Sequence, residues 1–233
     1  MEEISNLLQR SLPNQHTEKV KEQIIRNRAN LQSYKSVIPM TYETFLSLMK
    51  AHGTEILLHR SVSDPFVVDR YNEPIIKQLY LYFTNDPRCA WNLDAGLIFA
   101  GKIGCGKSVL MSAFLRISNE FSRRITTSIH SKELSRLIIQ RGVDYFVKRP
   151  LFIDEIGREE SEVKDYGNIV KPVIDLFSLR YENGSRTYAT TNFRFDSLEK
   201  FYGEFIRTRM EEMMTFVTVA GESRRLKNPV KTK

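Results

Sequence analysis

Residues Gly101-Lys102-Ile103-Gly104-Cys105-Gly106-Lys107-Ser108 satisfy the pattern G-x-x-x-x-G-K-[ST] at every required position. No other stretch restricts the fold as tightly, because the pattern works only between a strand and a helix. Leu97-Ile98-Phe99-Ala100 before it reads as a short buried strand, and Val109 to Leu115 after it continues as a helix. In that setting Gly101, Gly104 and Gly106 let backbone N–H groups converge on phosphates, and the helix N-terminus adds its dipole. Lys107 is expected to reach the β- and γ-phosphates and the Ser108 hydroxyl to coordinate Mg²⁺, with Cys105 and Val109 counted in the same nucleotide-binding set. The cofactors expected are therefore ATP and Mg²⁺.

From the loop onward, apolar runs alternate with helical patterns. Strands are expected at 97–100, 125–129, 150–154, 186–191 and 214–218, with helices near 107–121, 131–141, 166–182 and 196–213. Such an α/β chain makes a five-stranded, mostly parallel sheet between helices and gathers ligands at the C-terminal strand ends. Leu151-Phe152-Ile153-Asp154-Glu155 is an apolar strand that ends in two acids. Asp154 suits the metal shell, and Glu155 suits a base that orients and polarises the attacking water. A second acid fits ATP hydrolysis better than phosphate transfer to a small substrate. Asn192, directly after the strand 186–191, is expected at the same sheet edge, able to hold the water or sense the γ-phosphate.

The 233 residues suffice for one medium domain with an appendage. Residues 1–65 read as a helical, partner-binding segment, with helices over Glu3 to Arg10, Thr17 to Tyr34 and Thr41 to His52 and a stop at Gly53. Ser61-Val62-Ser63-Asp64-Pro65 is the expected boundary, and Asn72 is expected to cap the first helix of the second domain, 66–233, with Pro74 in its first turn. Two cysteines, Cys89 and Cys105, have no metal-ligand spacing. The start lacks a signal-peptide layout and no apolar run is long enough to span a membrane, so a cytoplasmic protein without a membrane partner is expected. A net charge of +7, with Arg224, Arg225, Lys227, Lys231 and Lys233 unbroken by any acid near the end, points to a polyanionic partner.

The phosphate loop, Asp154-Glu155-Ile156-Gly157, Thr190-Thr191-Asn192, Tyr202-Gly203-Glu204 with Arg207-Thr208-Arg209-Met210, and Gly221-Glu222-Ser223-Arg224-Arg225 together resemble the DnaC-type helicase loaders and IstB-type transposition ATPases of the AAA+ class. The resemblance covers about residues 66–226 in the right order. It implies a P-loop AAA+ core in which Asn192 is the first sensor and Arg209 an arginine finger acting on ATP bound by a neighbouring subunit, hence self-association when ATP is bound. Arg225 matches the family ending G-x-S-x-R, where it would touch nucleotide or DNA. Thr208 stands where the family usually has Asp or Ser, and Phe205 where many loaders carry an arginine. About fifteen residues follow the last expected strand, too few for a C-terminal helical lid.

In loaders of this type the helix after the second strand lies near the single-strand path, which here offers Lys132, Arg136 and Arg141, then Tyr145, Phe146, Lys148 and Arg149. The implied function is an ATPase that loads a replicative helicase during DNA replication and binds single-stranded DNA, turning over slowly until arginine fingers are in place. An IstB-like helper that binds duplex DNA and a transposase is the alternative within the family. Glu155 and Asn192 speak against a small-molecule kinase, and Lys107, Asp154 and Glu155 against an adaptor without turnover.

Overall fold

Apolar residues buried on both faces of a parallel sheet need a helical layer on each side, and the chain provides both. The computed structural model describes residues 39–122, 124–160, 162–165 and 168–224. In chain order the elements are α1 (Tyr42–His59), α2 (Glu73–Phe83), β1 (Gly96–Ala100), α3 (Lys107–Phe121), β2 (Thr127–His130), α4 (Ser131–Arg141), α5 (Asp144–Val147) and β3 (Leu151–Ile156). There follow β4 (Val163–Asp165), β5 (Asn168–Val170), α6 (Pro172–Glu182), β6 (Thr187–Thr191), α7 (Phe195–Tyr202), α8 (Glu204–Met213) and β7 (Met214–Thr218). The main sheet has the order β2-β3-β6-β1-β7, and every pairing in it is parallel.

Alternate residues of each strand feed two separate cores. Leu97 and Phe99 of β1, Phe152 of β3 and Tyr188 of β6 pack under α1, α2 and α3. Ile98, Ile153 and Ala189 face the other way, onto α4, α6, α7 and α8. The result is a three-layer α/β domain, with all five expected strands in place. The helix expected over 166–182 starts at Pro172, and the antiparallel hairpin β4–β5 precedes it. The helix expected over 196–213 is two helices, because Gly203 takes φ +84° between them.

Residues 42–59 belong to this domain. Phe45 and Met49 of α1 are fully buried in the core under β1, and Glu55 pairs with Arg116 of α3 at 2.6 Å. The chain therefore divides after Val37, and the boundary expected after residue 65 moves with it. Gly53 does not stop α1 but lies inside it, where a Cβ would meet the Phe66 ring at 2.5 Å. Thr54, its neighbour, accepts the Phe66 N–H at 3.0 Å and so fixes the ring in place. Asn72 does not cap α2 with its side chain either; it accepts from the Asp69 N–H at 2.8 Å and donates to the Val67 carbonyl at 2.9 Å, closing the turn before the helix. The helices expected within residues 1–34 lie outside the described residues. Among the described residues no α-helix follows β7, and no helix is long and apolar enough to cross a membrane.

Candidate nucleotide site

Because the sheet is parallel, the ends of β1, β6 and β3 lie side by side at one edge, with β6 in the middle. The loop that follows β1 is thereby set beside Asn192, and Asn192 beside the acids that end β3. Gly106 adopts φ +102° at the start of α3, a conformation that favours glycine. Lys107 folds into the loop and is 5% exposed. Its ammonium donates to the carbonyls of Gly101 and Lys102 and to Asn192 Oδ1, each at 2.8 Å. One residue further, the Ser108 hydroxyl donates to Asp154 Oδ1 at 2.6 Å. Phosphate loop, acid and asparagine, chosen separately from the sequence, thus form one connected set.

Thr190, named from the sequence only within the motif Thr190-Thr191-Asn192 and given no role there, ties the set together. It is fully buried on β6; its hydroxyl donates to Asp154 Oδ1 and accepts the Glu155 N–H at 2.8 Å. The pairing of β3 with β6 shifts register between Ile153 and Ile156, and Glu155 takes φ +63° at this irregularity. A left-handed glutamate is uncommon and marks a site held by its surroundings. Ser131 supplies one such hold by donating to the Glu155 carbonyl at 2.7 Å.

The Glu155 carboxylate meets an arginine and a histidine that sequence reading missed. Arg158 Nη1 donates to its Oε2 at 2.6 Å, and His130 Nε2 lies 3.5 Å from the same oxygen. His130 Nδ1 accepts the Lys132 N–H at 3.2 Å, which leaves the ring proton on Nε2, facing the carboxylate. Just beyond, the buried Glu159 accepts from the N–H groups of Gly157 and Arg158 and from the Tyr202 hydroxyl, fixing the turn after the acids. Burial, and then the nearby Glu159, hold the Tyr202 phenol well above its ordinary pKa.

Ser108 and Asp154 fit a divalent ion. Both are hard oxygen donors, 2.6 Å apart, on the side where the loop would present phosphates. Among the described residues no cluster of three or more His, Cys, Asp or Glu side chains makes a complete cage. Mg²⁺ keeps water and takes substrate phosphates alongside one or two protein ligands, a role that the Ser108 and Asp154 oxygens fit.

Arg209 is placed apart from this set. Arg209, 18% exposed on α8, stacks over Phe205 at 4.0 Å and Tyr181 at 4.9 Å and lies 3.5 Å from Glu182 Oε1. None of these contacts is in the phosphate loop. Arg225 lies outside the described residues, as do Lys227, Lys231 and Lys233. Lys132, Arg136, Arg141, Lys148 and Arg149 are exposed, and Arg141 and Arg149 stack on Tyr145 at 5.2 and 4.2 Å. Phe146 is 2% exposed and is part of the core, not a free stacking platform.

Solved structures of similar fold identify the architecture. A DnaC helicase loader matches at 20% identity with a TM-score of 0.53, over 66% of this chain and 93% of its own. The chain has the AAA+ fold of such loaders. A candidate primosome component from Streptococcus pyogenes serotype M3 matches at 21% identity and TM-score 0.54, over 70% and 87% of the two chains. AMPPCP-bound DnaA from Aquifex aeolicus matches at 14% identity and TM-score 0.50, over 70% and 51%. At these identities the likeness is one of fold. No protein-family model matches the chain, and no curated protein sequence does.

Proposed function

We propose that this chain binds ATP with Mg²⁺ at residues 101–108, hydrolyses it slowly, and acts in DNA replication as a DnaC-like helicase loader that contacts single-stranded DNA. The observation that carries the reading is the linked set at the sheet edge, where Lys107 is bonded to Asn192 and Ser108 to Asp154 across three adjacent strands. Solved neighbours include a helicase loader and an AMPPCP-bound initiator, which supports replication and nucleotide as the setting.

Each residue's part follows from its chemistry. Lys107 exchanges its three oxygen acceptors for the β- and γ-phosphate oxygens, a charge-assisted gain over neutral partners. Ser108 and Asp154 hold Mg²⁺, which supplies charge neutralisation on the phosphates when bound. Glu155, once its carboxylate leaves Arg158, accepts the proton of the attacking water, and Asn192 orients that water or reports the γ-phosphate. Arg209 reaches ATP in a neighbouring subunit, which makes turnover depend on ATP-driven self-association. The exposed cations from Lys132 to Arg149 contact the DNA backbone, and residues 1–37 hold the helicase.

The test is capture of a purified replicative helicase by the full chain, with and without ATP and with single-stranded or duplex DNA. Helicase capture together with ATP-dependent binding of single strands supports the loader. Duplex binding without helicase capture contradicts it and favours the transposition helper.

A further inference from the structure

Two glycines of the phosphate loop face the end of the described chain, not the nucleotide side. A Cβ on Gly101 would lie 2.3 Å from the Val219 carbonyl oxygen, and one on Gly104 would lie 2.2 Å from Ser223 Oγ. Residues 219–224 therefore run as a strap against the outer backbone of the loop, so close that neither position admits a side chain. Gly104 also has φ +84°, which favours glycine independently. The strap is hydrogen-bonded at both ends: the Val219 N–H donates to the Ala100 carbonyl at 2.7 Å, and the Arg224 N–H to the Gly104 carbonyl at 2.9 Å.

Arg224 then bridges three pieces of chain. Its Nε donates to the Cys105 carbonyl at 3.3 Å, and its Nη2 to Asp69 Oδ2 at 2.8 Å. Asp69 is itself anchored, since its Oδ1 accepts the N–H groups of Tyr71 at 2.9 Å and Asn72 at 3.2 Å at the start of α2. A trans peptide points its C=O and N–H in opposite directions. Holding the carbonyls of Gly104 and Cys105 outward therefore turns the N–H groups of Cys105 and Gly106 inward. The Cys105 N–H does face the loop interior, 3.4 Å from the Lys102 carbonyl.

We infer that Arg224, fixed by Asp69, is a positioning residue that sets the backbone of the phosphate loop from its outer side. Its consequence for ATP rests on the function proposed above. It touches loop carbonyls and no reacting atom, so losing it should raise the KM for ATP more than it lowers kcat. Lysine at this position keeps the charge but lacks the planar fork that reaches a carbonyl and a carboxylate together, so Arg224→Lys should restore only part of the function.

Cys105 gives a readout that does not depend on nucleotide. Its side chain is 1% exposed inside the loop, and Cys89 on another part of the surface serves as reference. The experiment measures alkylation of each cysteine in the full chain by peptide mapping, with and without ATP and Mg²⁺. Arg224→Ala and Asp69→Asn are each expected to speed Cys105 alkylation about tenfold or more without nucleotide, as loss of a charge-assisted bond opens the loop. The double substitution should add little to either, because both act through one contact. Cys89 should not change. An unaltered Cys105 rate in Arg224→Ala, or a parallel rise at Cys89 that reports a weakened fold, overturns the positioning role. Faster Cys105 alkylation in the variants, with no protection by ATP in the wild type, upholds that role and contradicts nucleotide binding.

Discussion

Thr190 is the residue on which the two acids depend. Its hydroxyl is shared between the Asp154 carboxylate and the Glu155 backbone, at the point where β3 slips against β6. Thr190→Val keeps the shape and removes both bonds. It leaves a buried N–H and a carboxylate oxygen short of a partner, at a cost of about 1–3 kcal/mol in stability. Turnover measured in the same variant should fall about 10- to 100-fold as Glu155 loses its aim; full activity would show that the acids are held elsewhere. Glu155→Gln should keep nucleotide affinity while hydrolysis drops about 100-fold or more, measured by phosphate release. Equal activity in that variant would remove Glu155 from the base role. Asp154 and Glu155 were legible as a pair of acids ending an apolar run. Thr190 was not, because a threonine in a strand is ordinary until the register places it opposite a bulge.

At the scale of elements, packing overrode local signals where the sequence misled. Gly53 looked like a helix stop, yet α1 continues six residues past it to His59, because the missing side chain is what admits Phe66. Gly53→Ala, stabilising by helix propensity alone, should here destabilise by about 1–3 kcal/mol in urea unfolding, since a Cβ collides with the ring. A gain in stability would show that the ring moves freely. The strap offers a pH test. Burial works to raise the Asp69 pKa, but the Tyr71 N–H, the Arg224 guanidinium and the Asn72 N–H together hold it below the ordinary carboxylate value. A folded-state pKa below the unfolded one gives stability that is present at neutral pH and lost as pH falls through the folded value. The melting-temperature gap between wild type and Asp69→Asn should therefore be open at pH 7 and close below about pH 4. A gap independent of pH would mean that Asp69 contributes nothing through its charge.

For the whole molecule, the sheet and the order of its chemical motifs were readable because strands alternate with helical patterns and three of them have a distinct ending. Leu97–Ala100 leads into glycines, Leu151–Ile153 into acids and Thr187–Thr191 into Asn192. The domain limit was less readable, since the apolar stripe of α1 looks the same whether it meets a partner or its own domain. Only Phe45, Met49 and Ile56 buried among α2 and α3 residues decide it. Strand order, which brings Lys107, Asn192 and Asp154 together, is a property of the assembled sheet and of no single segment. The central claim is that this edge binds ATP with Mg²⁺ through Lys107, and calorimetric titration of the full chain tests it most directly. Wild type should bind saturably with one ATP per chain, and Lys107→Ala should weaken binding about 10- to 100-fold, the worth of a charge-assisted bond. Equal affinity in the two proteins, or no binding by the wild type, would contradict it.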